Sequence, residues 1–315
     1  MRLAVLGAGA VGSAVARLAG GYGHTVTALA DSSTAAVDAA GVDVAAALER
    51  KAAGEALGDA APDDALEGDY DALVEATPTT LGDAEPGFSH VERALRADRH
   101  VVLANKGPVA ERYDDVRALE AESEGHVRFE ATVAGAIPVL STVEGLGPER
   151  VTAARGVLNG TANFVLTRMA AEGLSYEHVL AEAQDLGVAE PDPSFDVDGT
   201  DAALKCAILA NVLYGGGYAL DDVAVQGIRD IPTSALELAT DGGQAVRLVG
   251  DVNSGGVRVG PRLVPEHGTL AVSGTQNIVQ LESEHAGRLN LSGAGAGGPE
   301  TASAVLADVD RLESG

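Results

Sequence analysis

The sequence predicts an α/β fold in which a doubly wound parallel sheet is joined to a second, α+β domain. A buried strand pattern at residues 2–6 runs directly into a glycine-rich turn and then into a helix. Strand and helix patterns then alternate as far as residue 133, which indicates a parallel sheet covered by helices. The alternation stops at Gly135 and Pro138, so we place the domain boundary after residue 136.

The glycine-rich turn has the form of a dinucleotide-binding site. Gly7 permits a tight turn, Gly9 lets the backbone approach a pyrophosphate, and Gly12 lets helix and strand pack closely. The helix predicted at 13–18 would direct its N–H groups at the phosphates. The position between a strand and a helix predicts a Rossmann-type domain, with a phosphate site made by Gly7, Gly9, Ala10, Val11 and Gly12.

Asp31 ends the second predicted strand, at 25–30, where an acidic side chain holds a ribose diol. A turn or helix cap beside Ser32 and Ser33 is the alternative for this residue. Residues 31–36 contain no lysine or arginine to receive a 2′-phosphate, so we favour NAD over NADP.

The next elements extend the sheet and expose polar groups at its edge. The patterns predict strands at 71–76, 100–104 and 127–133, helices at 88–97 and 109–124, and a solvated loop at 54–68. Ligands of a doubly wound sheet bind at the carboxyl ends of its strands. Thr77, Asn105 and Lys106 follow two of these strands and are therefore candidate ligand-binding residues.

The charge of the chain excludes two classes of partner. Its 47 acidic and 21 basic residues give a net charge of −26. Nucleic acids and anionic membrane surfaces both require basic contacts, so neither is expected. An acidic, lysine-poor surface is typical of proteins from very salty cytoplasm, where salt screens self-repulsion. We therefore expect a halophilic protein that is more stable at high salt.

Cysteine and histidine usage excludes the common structural cross-links. Cys206 is the only cysteine, so no intrachain disulfide or cysteine metal cluster is expected. The histidines are scattered, which argues against a structural zinc site. We also find no signal peptide and no apolar run that is long enough for a membrane helix, and therefore expect a cytoplasmic protein.

Only three lysines occur, at 51, 106 and 205. A retained lysine can serve as an amine that exchanges a proton, although these could simply be surface residues. Asp201 and Lys205 are four residues apart and share one face of a predicted helix. Such a pair is usually a surface salt bridge. The neighbouring residues are apolar, however, which predicts a buried pair and a candidate site.

Two further segments carry polar groups in the second half. Residues 156–163 interrupt an apolar run and could bind a polar metabolite, or could simply connect a strand to a helix with Thr161 as its cap. Two prolines predict an extended path at 190–194. Glu190, Asp192, Asp196 and Asp198 of this acidic segment could all be ordinary acidic surface. That interpretation covers Asp192 and Asp198 well, whereas the residues alone leave Glu190 and Asp196 open.

Taken together, these motifs resemble homoserine dehydrogenase. The match runs from the first strand almost to the end of the chain, and its 189–205 block is more specific than the glycine-rich turn. The matching stretches are 7–12, 104–106, 130–138, 158–164, 189–193, 196–205 and 293–305.

The resemblance implies an oxidoreductase of threonine and methionine biosynthesis. The family interconverts L-homoserine and L-aspartate 4-semialdehyde with NAD(P). By resemblance, Lys205 is the general acid/base, oriented by Asp201, and Lys106 is its partner near nicotinamide and substrate. Two ammonium groups close together would favour proton loss from one of them, leaving an amine that acts as base. Glu190 would bind the substrate ammonium with Asp196 nearby, and Gly160 and Thr161 would contact the substrate.

The resemblance also implies a monovalent cation (Na or K) held by the Glu130 side chain and the carbonyls of Val133, Gly135 and Ile137. Here Ala134-Gly135-Ala136 replaces the usual Gly-Ala-Gly. The 293–298 segment would return the chain to the nucleotide domain, with Gly295 at the cofactor and a helix at 301–312. The domains would then be 1–136 with 293–315 for the dinucleotide, and 137–292 for catalysis and dimerisation.

The family further implies a homodimer, formed through alternating strands in 137–155 and 260–292. Many members carry a C-terminal regulatory domain that senses threonine. Because this sequence stops at Gly315, we expect a short form without threonine inhibition.

Two alternatives remain from the sequence. An aspartate-semialdehyde-type dehydrogenase would need a cysteine nucleophile, and Cys206 would have to supply it, although it is more typical of a small core residue. A non-catalytic NAD-binding sensor would not need Lys106, Glu190, Asp201 and Lys205 together.

Overall fold

The computed structural model describes residues 1–313. Contacts divide the chain into two compact units. The first is Met1–Ala136 together with the chain from Ala296, and the second is Ile137–Gly295. None of the helices within residues 1–313 combines the length and the apolar composition that crossing a membrane requires.

The first unit is built on a six-stranded sheet in the order β3-β2-β1-β4-β5-β6. Its strands are β1 (Arg2–Leu6), β2 (Thr25–Ala30), β3 (Ala35–Val37), β4 (Ala72–Glu75), β5 (His100–Leu103) and β6 (Val127–Arg128). All neighbours are parallel except β2 and β3. Because the strand order reverses between β1 and β4, the crevice for a ligand is expected beyond the carboxyl ends of these two strands.

Helices cover this sheet and complete its core. They are α1 (Ala10–Leu18), α2 (Val44–Ala52), α3 (Gly87–Arg96), α4 (Gly107–Glu111), α5 (Tyr113–Ala121), α6 (Ala131–Ala134) and, after the second unit, α13 (Gly298–Glu313). The predicted amphipathic helix at 301–312 is confirmed by α13, whose Ala302, Val305 and Val309 are buried in the same apolar cluster as Val15 of α1.

The second unit contains a six-stranded sheet in the order β12-β11-β7-β9-β10-β8, antiparallel except between β8 and β10. Its strands are β7 (Val151–Val157), β8 (Val223–Val225), β9 (Gln244–Asn253), β10 (Gly256–Pro265), β11 (Gln276–Ser283) and β12 (Gly287–Ala294). Its helices are α7 (Val139–Leu146), α8 (Gly160–Glu172), α9 (Tyr176–Asp185), α10 (Ser194–Val197), α11 (Thr200–Tyr214) and α12 (Thr233–Asp241).

Helix α11 forms the centre of the second unit. It packs on β9 and β10, and nearly all of its residues are buried. A helix that is apolar all round is typical of a protein interior. The charged pair predicted on this helix is therefore placed in the core.

Several predicted elements are wrong in detail. The helix predicted at 109–124 is divided into α4 and α5 at Arg112. The strand predicted at 127–133 stops after two residues, because the hydroxyl of Thr132 bonds the carbonyl of Phe129 and closes a helical turn. Residues 139–146 form helix α7 rather than a strand. The loop predicted at 54–68 is partly buried, with Leu57 fully enclosed.

Candidate active site

The glycine-rich turn lies at the carboxyl end of β1, where its glycines have different roles. Gly7 has φ of +100°, and a Cβ there would overlap the carbonyl of Ala76. A Cβ on Gly12 would overlap the carbonyl of Gly7. Gly9, in contrast, has open space around it and precedes α1 without a side-chain cap. The N–H groups that begin α1, at Ala10 and Val11, are thus suited to a phosphate.

Asp31 stands directly after β2 and forms the turn that was the alternative interpretation of this residue. Its Oδ1 accepts hydrogen bonds from the backbone N–H groups of Ser33 (2.9 Å) and Thr34 (3.0 Å), which closes a turn. Its Oδ2 pairs with Lys51 of α2. Burial acts to raise the pKa of Asp31, but Lys51 and the two N–H groups outweigh it and hold this pKa below its usual value.

Lys51 places a positive charge beside Asp31, where the sequence predicted none. Residues 31–36 contain no lysine or arginine, but α2 supplies a cation from a position twenty residues along the chain from Asp31. A lysine beside the carboxylate that was predicted to hold the ribose could receive a 2′-phosphate. The site therefore contains groups suited to both forms of the cofactor.

A polar cluster of two buried residues and one half-buried residue fixes the loops after β4 and β5. It consists of Glu75, Thr77 and Asn105. The hydroxyl of Thr77 donates to the fully buried carboxylate of Glu75 and accepts a hydrogen bond from Asn105 Nδ2 (3.2 Å). The N–H of Lys106 donates to the hydroxyl of Thr79 (3.3 Å). Thr77 and Lys106, both predicted cofactor residues, are thus held at neighbouring strand ends.

Lys205 lies inside the second unit and is only 6 % exposed. Its Nζ donates to Asp201 Oδ2 (2.7 Å) and to the carbonyl of Leu158 (2.6 Å). The predicted burial and pairing of Asp201 with Lys205 are confirmed. A deprotonated amine has two N–H groups and one lone pair. Two acceptors can satisfy both N–H groups and leave the lone pair to accept a proton.

Asn159 joins this pair to the start of α8. Its Oδ1 accepts from the N–H of Ala162 (2.8 Å), and its Nδ2 donates to Asp201 (2.9 Å) and Asp196 (2.7 Å). The helix cap is therefore Asn159, and the alternative with Thr161 as cap is wrong. Sequence reasoning gave Asn159 no role, although its position directly before the helix was a signal for a capping residue.

The remaining predicted substrate residues lie around this cluster in different ways. Thr161 donates its hydroxyl to the carbonyl of Val188 (3.1 Å), and a Cβ on Gly160 would lie 2.8 Å from the carbonyl of Thr275. Glu190 is exposed, and its carboxylate forms no hydrogen bond or ion pair with residues 1–313. The structure thus brings Asp196, but not Glu190, into the polar cluster around Lys205.

The two carboxylates predicted to be ordinary surface groups behave as such. Asp192 is exposed and accepts from the N–H and hydroxyl of Ser194 (3.1 and 2.6 Å). Asp198 is exposed and pairs with Arg229. The path at 190–194 bends into α10 rather than remaining extended.

Cys206 is unsuited to nucleophilic catalysis. It is fully buried, and burial raises the pKa of its thiol to about 12. A Cβ on Gly250 would overlap its sulfur, so the thiol is closely packed against β9. This environment opposes the aspartate-semialdehyde-type alternative, which needs a reactive thiolate.

The last predicted site residues are Gly295, expected at the cofactor, and the candidate ligands of the monovalent cation. Gly295 belongs to the second unit, where a Cβ would overlap the amide of Asn277. Glu130 is buried, with its carboxylate 3.9 Å from Arg311. Buried carboxylate and carbonyl oxygens suit a hard cation. Arg311 already supplies a positive charge near the Glu130 carboxylate. Of the four predicted cation ligands, Ile137 belongs to the second unit and the other three belong to the first.

Family comparisons match both parts of the chain. The family model for homoserine dehydrogenase matches residues 138–309, which is more than half of the chain. The model for glutamate/leucine/phenylalanine/valine dehydrogenase matches residues 1–80, the segment with the glycine-rich turn.

Three relatives show how widely the similarity extends. The homoserine dehydrogenase of Methanocaldococcus jannaschii is 38 % identical over 98 % of this chain and 97 % of its own length. An NAD(+)-dependent homoserine dehydrogenase of Pseudomonas canavaninivorans is 37 % identical over 76 % of this chain and 70 % of its own. The homoserine dehydrogenase of Bacillus subtilis is 40 % identical over 76 % of this chain, which matches only 56 % of that relative's length.

Solved structures have the same fold. A structure described as a homoserine dehydrogenase of Archaeoglobus fulgidus has a TM-score of 0.91 and 36 % identity, with 99 % of both chains covered. A hyperthermophilic archaeal homoserine dehydrogenase in complex with NADPH has a TM-score of 0.86 and 28 % identity, covering 99 % of this chain and 97 % of its own.

Proposed function

Because the chain belongs to the homoserine dehydrogenase family, we propose that it catalyses the reversible, NAD(P)-dependent oxidation of L-homoserine to L-aspartate 4-semialdehyde. The buried amine of Lys205, whose two acceptors are Asp201 and the carbonyl of Leu158, carries this proposal. A buried amine with one lone pair left for a ligand is suited to take a proton from an alcohol.

Oxidation of the alcohol removes one proton and one hydride from the substrate. The nicotinamide, when bound, supplies the acceptor for the hydride that leaves the alcohol carbon. Lys205 accepts the proton from the hydroxyl oxygen as the carbonyl forms. Asp201 stabilises the resulting ammonium through its 2.7 Å hydrogen bond. In reduction, the same ammonium returns its proton to the carbonyl oxygen.

Substrate orientation is assigned to the acidic residues and to the start of α8. We propose that Glu190 binds the substrate ammonium with Asp196 nearby, and that Gly160 and Thr161 contact the substrate. The exposed carboxylate of Glu190 has no partner among residues 1–313, which supports a role in binding a ligand. Lys106 is assigned to the substrate and the nicotinamide. In each of these roles the residue aligns the substrate with the nicotinamide and takes no part in breaking a bond.

The first unit is assigned to the dinucleotide. The open space at Gly9 and the uncapped start of α1 support pyrophosphate binding by the glycine-rich turn. Asp31 is assigned to the ribose. We keep NAD as the favoured form, and propose that Lys51 also admits NADP. Gly295 is retained as a proposed cofactor contact, although its lack of a side chain also makes room for Asn277.

Three further proposals concern the surroundings of the site. A monovalent cation is proposed at Glu130 and the carbonyls of Val133, Gly135 and Ile137. A homodimer is proposed through the second sheet, supported by the edge strand β12, whose residues are all exposed or half-buried, and by Leu263, which is 62 % exposed. Cytoplasmic localisation is proposed on the basis of one unpaired, buried cysteine.

One assay tests the reaction and its alternatives. The protein is mixed with L-homoserine, NAD or NADP, and salt, and the absorbance of reduced nicotinamide is followed. We expect homoserine-dependent reduction by the wild type and by Cys206→Ala, and loss of turnover in Lys205→Ala. Activity that depended on Cys206 instead would support the semialdehyde-type alternative. Nucleotide binding without any turnover would support the sensor.

A further inference from the structure

The carbonyl oxygen of Leu158 receives two side-chain hydrogen bonds inside the second unit. One comes from Lys205 Nζ (2.6 Å) and the other from Asn277 Nδ2 (3.0 Å). Since both nitrogens contact the same oxygen, they lie no more than about 5.6 Å apart. Asn277 is 1 % exposed and stands on β11, more than a hundred residues from Leu158. A residue remote in sequence thus shares an acceptor with the base.

The side-chain amide of Asn277 forms a hydrogen bond through its nitrogen but not through its oxygen. Its Oδ1 is buried and has no hydrogen-bond partner among the described residues. Burying an unpartnered carbonyl is unfavourable, and an apolar side chain of the same size would avoid that cost. Reversing the amide would place its oxygen against the oxygen of Leu158. The asparagine is therefore explained by the hydrogen bond that its Nδ2 donates.

The end of β12 is shaped to accommodate this amide. Asn277 pairs with Gly293 across the two strands, and a Cβ on Gly295 would overlap its side chain. Two glycines thus lie beside one buried asparagine. The packing of Asn277 therefore gives a structural reason for Gly295, which was predicted from the family resemblance to contact the cofactor.

We propose that Asn277 is a positioning residue for the proposed reaction. It fixes the direction of the Leu158 carbonyl, which in turn holds one N–H of Lys205. With that N–H and the one bonded to Asp201 both fixed, the lone pair of the deprotonated amine has one direction left, towards the substrate hydroxyl. This inference rests on the proposed function, because it concerns the base of that reaction.

Removal of the donor tests the positioning. Asn277→Leu preserves size and removes the amide, so kcat for homoserine should fall about tenfold or more, the loss expected for one hydrogen bond, with KM for NAD(P) unchanged. Gly295→Ala should reproduce this result, since its methyl group displaces the Asn277 amide. A wild-type kcat in folded Asn277→Leu, or a raised cofactor KM with normal kcat in Gly295→Ala, would overturn the proposal.

A pH profile separates positioning from loss of structure. Asn277→Asp places a carboxylate near Lys205, which favours the charged ammonium and should move the midpoint of kcat/KM against pH upward by about 1 to 3 units. Asn211→Asp is the matched control. Asn211, on α11, is fully buried like Asn277, but the hydrogen bonds given for its side-chain amide are to the backbone of Tyr218. Its profile should keep the wild-type midpoint. Equal midpoints in both variants and the wild type would contradict the proposal.

Failure of this inference differs from failure of the proposed function. If the wild type does not oxidise homoserine, or if Lys205→Met is as active as the wild type, the function fails and the positioning role fails with it. If the wild type is active and depends on Lys205 while Asn277→Leu keeps full kcat, only the positioning role is refuted.

Discussion

Replacement of Lys205 by methionine should separate the chemical role of the amine from its structural role. Methionine keeps the length of the side chain and removes Nζ, together with its bonds to Asp201 and to the Leu158 carbonyl. Loss of a general base lowers kcat by about 10²–10⁴-fold, which corresponds to about 3 to 5 kcal/mol in the activation free energy. KM for NAD(P) should change little.

The stability of the same variant follows from the charge that it leaves behind. Removing one partner of a buried ion pair costs about 3 to 5 kcal/mol, because the other charge remains without compensation. Asp201 is 7 % exposed but keeps the hydrogen bond from Asn159 (2.9 Å) and lies in the first turn of α11, where a negative charge is favoured. We therefore expect the free energy of unfolding to fall by about 3 kcal/mol, at the lower end of that range.

A second substitution then tests the explanation. The double variant Lys205→Met with Asp201→Asn also removes the buried negative charge, so it should regain much of the lost stability in urea unfolding without regaining activity. As a control, Lys51→Met breaks the partly exposed pair with Asp31 and should cost at most about 1 kcal/mol. A kcat within tenfold of the wild type in Lys205→Met, or equal instability of the single and double variants, would refute the reasoning.

Three other predictions concern the cofactor, pH and salt. Lys51→Ala should raise KM for NADP about tenfold or more relative to KM for NAD in steady-state assays, since a charged partner of the 2′-phosphate is lost; an unchanged ratio would contradict this role. Burial raises the pKa of Asp308 to about 6 from its ordinary 3.8, so the folded state binds this proton more tightly than the unfolded state does. The stabilisation from this group is therefore lost as the pH rises between these two values. Relative to Asp308→Asn, the free energy of unfolding of the wild type, measured in urea, should fall by at most about 3 kcal/mol between pH 4 and 8. With a net charge of −26, the protein should show a Tm that rises from dilute buffer to molar salt, and a constant Tm would exclude a halophilic surface.

The predictable parts of the fold are those with local causes. Strand β1, the glycine-rich turn and α1 follow one another within 18 residues, and each has a distinct pattern. The pairing of Asp201 with Lys205 follows from a spacing of four on a helix. The strands that the family resemblance implied within 137–155 are replaced at Val139–Leu146 by helix α7, since short apolar runs fit both structures and tertiary packing decides between them.

The unpredictable parts of the site have causes distant in the chain. Lys51 reaches Asp31 only because α2 packs beside the end of β2, and Asn277 reaches Leu158 across 119 residues. Asn159 was within the quoted motif, yet its two carboxylate partners depend on how α10 and α11 fold back onto α8. Strand order and helix packing set these contacts, and a single sequence does not encode them in any local pattern.

Asn159 also bears on how this protein would age in storage. It precedes Gly160, and asparagine followed by glycine is the dipeptide in which a side-chain amide is most readily lost to hydrolysis. Here both ends of the amide are tied, to Ala162 on one side and to Asp196 and Asp201 on the other. Folding therefore shields a chemically fragile bond, and damage at this position would add a third acidic group where two already share one donor.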